Sequence, residues 1–235
     1  MMQFGRYNPD RSEKTVGAGS ELNEVFDGDK TRSCFKDHTE AYIETCTGGK
    51  FHFMSPREDE VNILDIAHAL SHQCRYTGHC ARFYSVAEHS VLVASLVPPE
   101  QRLAALLHDA SEAYLTDVAA PVKPFLSSYK DIERGIMDVI AKKFGFPWPA
   151  SPEIKHADLV ALLVEARQLM PSGGEGWRES SQVGELPKLQ VACMNPQAAR
   201  LVFLRVFEEL SGTQILPRVV APTKQESKII LSATK

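Results

Sequence analysis

A histidine and an aspartate stand side by side, His108-Asp109, in a run whose other members call for burial: Leu103, Leu106, Leu107 and Ala110. After Pro98-Pro99 this run reads as a helix, with the doublet embedded near its end. Neither side chain belongs in an apolar helix without a partner. An uncompensated buried carboxylate costs several kcal/mol, so such groups are paired or bound to metal. His89 lies upstream on a second helical segment, and Asp158 downstream on a third. Two imidazoles and two carboxylates carried by three apolar helices form an expected four-ligand metal site: His89, His108, Asp109 and Asp158. This donor set suits Mn, Fe, Co, Ni or Zn and does not choose among them.

The rest of the pattern is helical, which makes the expected fold class all-α with one small N-terminal β-hairpin. Residues 42–45, Gly48-Gly49 and residues 50–53 spell the hairpin, with the glycine pair supplying positive φ. A first helix is expected from Asn62 to near Gly78, with Ile63, Ile66, Ala67 and Leu70 on one face. A second opens at a capping box, Ser85-x-x-Glu88. The fourth runs over residues 128–144 to Gly145, the fifth opens at Ser151-Pro152, and the last at Asn195-Pro196. In the fifth, Ile154, Asp158, Ala161 and Leu162 share a stripe, which turns Asp158 towards the core. Residues 1–39 read as a flexible extension, 40–212 as the domain, 171–192 as a long loop within it and 213–235 as a tail.

Composition narrows the function classes. A net charge of −4 gives no reason to expect duplex nucleic acid as a partner. Five cysteines without a Cys-x-x-Cys pair favour reduced thiols and a cytoplasmic chain. Cys74 and Cys80, which flank a turn, read as packing residues. There is no apolar leader and no stretch long enough to span a bilayer, so no membrane partner is expected. A homo-oligomer is left open. His68 and His72 have i, i+4 spacing but lack the zincin glutamate; His68 reads as a core or supporting histidine. His156 falls on a different helix face from Asp158 and is not expected to be a ligand.

The residues 85–90 (Ser-Val-Ala-Glu-His-Ser), the doublet 108–109 and His156-Ala157-Asp158 together resemble the HD-domain metal-dependent phosphohydrolases. The resemblance covers roughly residues 40 to 210 and points to the nucleotidase branch, with bacterial 5'-deoxynucleotidases and phage dATP triphosphohydrolases. Residues 63–70 and 75–79 are similar to the phage members. The resemblance implies an HD-type helical bundle and hydrolysis of a deoxynucleotide at the phosphorus next to the sugar. A dATP or dNTP triphosphohydrolase is the favoured form and a 5'-deoxynucleotidase acting on dNMPs the alternative. A non-catalytic regulatory module that keeps its metal for stability is a third reading. One divalent ion is implied, with room for a second beside substrate.

Four further positions acquire roles. Glu112 follows His108 by four residues and is the expected general acid/base, on the same helix face as the ligands. Asp117 matches a second functional acid of the nucleotidase branch. Lys123, bracketed by Pro121 and Pro124, looks like a phosphate-binding lysine. In similar nucleotidases an arginine at the place of Arg75 reaches phosphate, with Tyr76 and His79 bordering the nucleoside. Trp177 in the long loop is open between a lid and an anchor.

Overall fold

The computed structural model describes residues 41–216, and most of them are helical. The readings for residues 1–39, and for the tail beyond residue 216, lie outside the described residues. The hairpin pairs β1 (Ile43–Glu44) with β2 (Lys50–Phe51) antiparallel, in the register Ile43 with Phe51 and Glu44 with Lys50. Gly48 alone takes the left-handed turn position, at φ +81°; its glycine neighbour does not need it. The turn is tied to the first helix because Thr47 donates from both its N–H and Oγ1 to Asp65, at 2.8 Å each. Phe51 is fully buried and stacks on Tyr114 at 3.6 Å.

α1 (Ile63–His72) starts where expected, with Asn62 accepting from the Leu64 N–H. It stops at His72, well short of Gly78. Gln73 turns extended, Cys74 bridges to Ser85 and the Arg75 N–H donates to the Tyr84 carbonyl at 2.9 Å. Tyr76, Thr77 and Gly78 then take φ of 56°, 53° and 78°. Left-handed residues cannot continue a right-handed helix, so the chain doubles back and carries Arg75 and Tyr76 inward.

α2 (Val86–Ser95) is the central helix, packed by α1, α3, α6 and α7. It is therefore apolar nearly all round, and its polar members need internal partners. Ser90 donates to the Val86 carbonyl. Ser85 caps the Glu88 N–H as expected, but the Glu88 carboxylate does not complete the box. It accepts instead from the N–H groups of Ala192, Cys193 and Met194 at 2.8–2.9 Å, pinning the end of the long loop.

The third segment differs from the expectation in one important respect. α3 (Arg102–Leu106) ends before the doublet, and α4 (Glu112–Leu115) begins after it. His108 and Asp109 sit in the intervening turn, not inside a helix. The apolar rhythm continues across this break because Leu107 and Ala110 still face the core, both fully buried.

α5 (Tyr129–Phe144) stops at Gly145 with φ +71°. α6 (Pro152–Leu169) opens with Ser151 accepting from the Ile154 N–H. α7 (Pro196–Ser211) has Asn195 as its cap and closes the core with Phe203 and Phe207 against α1, α2 and α3. The long loop is anchored by Gln168, which donates to the Leu189 carbonyl and accepts from the Val191 N–H. Trp177 packs beside Tyr76, ring centroids 6.1 Å apart, as an anchor would. No helix among the described residues is long and apolar enough to cross a membrane.

Candidate metal centre

α2, the turn after α3, and α6 bring the expected ligands together. His89 Nε2 lies 3.1 Å from Asp158 Oδ1 and 3.6 Å from Asp109 Oδ2. His108 Nε2 lies 3.2 Å from Asp109 Oδ2 and 3.8 Å from Asp158 Oδ1. Despite this closeness neither Nε2 has a hydrogen bond. Among the described residues five buried side-chain polar atoms lack one, and three belong here: both Nε2 atoms and Glu112 Oε2. Orphaned buried polar groups are rare and call for an explanation.

A metal ion supplies one. Donors about 2.1 Å from one ion stand roughly 3 to 3.4 Å apart when adjacent, close to the separations seen here. The donor atoms of His89, His108 and Asp158 all lie within 4.8 Å of one another, so this group could hold a metal ion. The other ring nitrogens fit the same role. His89 Nδ1 is 2.7 Å from Glu165 Oε1, and His108 Nδ1 is 2.8 Å from the Ala105 carbonyl. A proton on each Nδ1 satisfies both acceptors and leaves the Nε2 lone pairs for a cation.

Exposure gives the site a direction. The side chains of His89 and His108 are 0% and 8% exposed, those of Asp109 and Asp158 24% and 44%. Asp158 therefore sits at the mouth of the cluster and not in the core, and Leu162 on the same stripe is only half-buried. Anything that joins the cluster approaches from the carboxylate side.

The charges are strongly coupled. Burial and the Arg75 charge oppose protonation of His89, but Glu165 and Asp158 outweigh them and raise its pKa. Burial also opposes protonation of His108, and Asp109 and Asp158 raise it well above the ordinary value. Burial would raise Asp109, yet His108 pulls it down to about 2. Asp158 is likewise held well below its usual value against burial, by the two histidines. A cation between these groups replaces the two protons.

Glu165 is the residue that sequence reading missed. It is fully buried on α6 and accepts from His89 Nδ1, Arg75 Nε (3.0 Å), Tyr76 Oη (3.0 Å) and Tyr84 Oη (3.1 Å). Burial alone would raise its pKa; Arg75 and His89 hold it below the ordinary carboxylate value. Arg75 thus spends one nitrogen on Glu165, and its two terminal nitrogens have no hydrogen-bond partner among the described residues. Tyr76 is held by Glu165 and by the Leu162 carbonyl at 3.1 Å. A sequence signal existed: Glu165 lies seven residues after Asp158, on the same side of α6, inside the buried run Leu163–Ala166.

On the opposite side, Glu112 opens α4 and is 3% exposed. Its Oε1 faces Lys123 Nζ at 3.5 Å, and Lys123 also pairs with Glu133 at 3.1 Å. Burial first, then Asp109 and Asp117, raise the Glu112 pKa well above its ordinary value, against Lys123 and Arg75. Asp117 is raised as well, chiefly by burial. Gln73, also unforeseen, braces this segment by donating to the Glu112 carbonyl (2.9 Å) and accepting from the Asp117 N–H (2.8 Å).

Three further histidines stand outside the hydrogen bonds and ion pairs of the cluster among the described residues. His79 is exposed, and no hydrogen bond or ion pair joins its side chain to the cluster among the described residues. His68 is neither core nor support: it is half-buried, stacks on His72 at 4.1 Å and lines a cavity beside the hairpin with Cys46 and Asp65. His156 is exposed, away from the ligands, as expected.

No family model matches the sequence. Two relatives do. The chain is 39% identical to the uncharacterized protein YfdR of Escherichia coli K12 over 171 residues, which cover 73% of this chain and 96% of the relative. The chain belongs to the YfdR family. An uncharacterized protein of Rhodobacter capsulatus is 34% identical over 143 residues, 55% of this chain and 73% of the relative.

Proposed function

We propose that the chain is an HD-type metal-dependent phosphohydrolase that cleaves deoxynucleotides at the phosphorus next to the sugar. The observation that carries this reading is the pair of buried, unpartnered Nε2 atoms facing two carboxylates, with an uncommitted oxygen of Glu112 also buried. His89, His108, Asp109 and Asp158 would hold one divalent transition metal, of the Mn, Fe, Co, Ni or Zn group. When bound, the ion polarises a phosphoryl oxygen and lowers the pKa of a bound water.

The chain's own residues do the rest. Glu112 positions the attacking water through the carboxylate oxygen that Lys123 leaves unpaired, and takes its proton. Asp117 keeps that carboxylate basic by adding negative charge nearby. Lys123 and the free nitrogens of Arg75 offset phosphate charge from opposite sides. Tyr76, fixed through its hydroxyl, offers a ring edge to the nucleoside. The chain acts in the cytoplasm, where deoxynucleotides and reduced cysteines coexist.

We favour a triphosphohydrolase, on the likeness of residues 63–70 to phage enzymes, over a 5'-deoxynucleotidase. The test incubates purified protein with dATP or dAMP and Mn, Co or Zn, and separates products by ion exchange. Deoxyadenosine and inorganic triphosphate released in one step support the favoured form. Deoxyadenosine and orthophosphate from dAMP alone transfer the assignment to the nucleotidase. Stepwise release of dADP contradicts both.

A further inference from the structure

Cys74 and Cys80 flank the segment that carries Arg75 and Tyr76 into the site. Both are free thiols, half-buried, and their sulfurs lie 3.5 Å apart. The left-handed φ values at residues 76–78 fold the segment back on itself and bring its two ends together. Cys80 Sγ also lies 3.7 Å from the Arg75 carbonyl, so it sits over the backbone of the loop it closes. A disulfide needs the sulfurs about 1.5 Å closer, a modest side-chain shift.

We propose that Cys74 and Cys80 are an oxidisable dithiol, a modification site for small disulfides such as oxidised glutathione, and that the bond between them locks the loop bearing Arg75 and Tyr76. One cysteine thiolate attacks the small disulfide and forms a mixed disulfide, releasing one small thiolate. The second cysteine, as thiolate, attacks the protein sulfur of that intermediate and expels a second. Two protein thiols are oxidised to one S–S bond and the small disulfide is reduced to two thiols, which take up the two protons. Burial pushes the Cys80 thiol up to about 11, so exchange is slow near neutrality and quickens with pH. Once the mixed disulfide forms, the neighbouring sulfur makes its resolution an intramolecular step. Two other cysteines serve as controls. Cys46 is exposed and donates to Asp65, while Cys193 packs against the same small apolar cluster as Cys80. The inference is independent of the hydrolase reading.

The test treats the full-length protein with excess oxidised glutathione at mildly alkaline pH, quenches with acid, alkylates and measures intact mass and tryptic peptides. Two of the five thiols should become protected without retained glutathione. Cleavage after Arg75 and Arg82 should leave two peptides joined through Cys74 and Cys80. The oxidised protein should melt roughly 4 °C or more above the reduced form, as closure of a short loop implies. Cys80→Ser should keep glutathione on Cys74 or leave it alkylatable. Five alkylatable thiols, stable glutathione on Cys80, or a bond mapped to Cys193 would overturn the site. A mapped Cys74–Cys80 bond with unchanged melting would overturn the claim that it locks the loop.

Discussion

The two flanks of the candidate metal centre are built differently. On the α2–α6 flank, one fully buried carboxylate, Glu165, fixes His89, Arg75, Tyr76 and Tyr84 at once. On the other, Glu112 meets a half-buried Lys123 on a short 3-10 turn between prolines, next to Phe125, whose side is 85% exposed. The first flank is preorganised by packing, because four donors converge on one buried carboxylate. The second holds an unpartnered Glu112 oxygen and a partly exposed lysine shared between two carboxylates. Stability should therefore reside in the first flank, and turnover in the second.

The largest expected effect breaks the first flank. Glu165→Ala leaves Arg75 buried without its counter-ion and should cost about 3–5 kcal/mol of stability. Chemical denaturation measures it; a loss below about 1 kcal/mol would make the network incidental. Glu165→Gln tests the link to the metal, since a neutral amide holds His89 less firmly. Metal affinity should fall about 10- to 100-fold while the chain still folds.

Glu112→Gln addresses the second flank. It should lower kcat by about two orders of magnitude or more with metal content and melting temperature retained. A variant that loses stability but keeps its rate would reverse the contrast between the flanks.

Acid should act on the cluster itself. In the metal-free protein His89 and His108 hold protons above their ordinary pKa of 6.5. Their pairing with carboxylates therefore stabilises the fold fully below 6.5, and that contribution fades as pH rises through the raised values. A metal must displace those protons, so its affinity should climb with pH, by up to about tenfold per unit for each proton lost. Calorimetric titration at several pH values checks the sign.

Smallest is Lys123→Ala, expected to reduce kcat/KM by about tenfold and to leave stability within about 1 kcal/mol, because Lys123 and its partner Glu133 are each about a quarter exposed.

The His/Asp cluster was legible in the sequence because two histidines and two aspartates in apolar runs need internal partners, and the structure brings them within 3.1–3.8 Å of one another. Helix starts at Asn62, Ser85, Ser151 and Asn195 were equally legible, since capping is local chemistry. What depends on tertiary contact was hidden. The early end of α1 follows from Arg75 reaching Tyr84 and Glu165. The break at His108-Asp109 is masked by continuous apolar periodicity. Gln73 reads as an ordinary polar residue until α4 lies against its amide. Asp158 follows the buried stripe but stands at its open edge, a distinction that helical phase alone does not make.

Metal stoichiometry, by elemental analysis after incubation with Mn, Co or Zn and removal of free ion, decides whether the cluster holds an ion. One tightly held ion per chain is expected in the parent protein, and its loss in both His89→Ala and His108→Ala folded to the parent's circular-dichroism spectrum. A metal-free parent, or variants that keep the ion, would contradict that expectation.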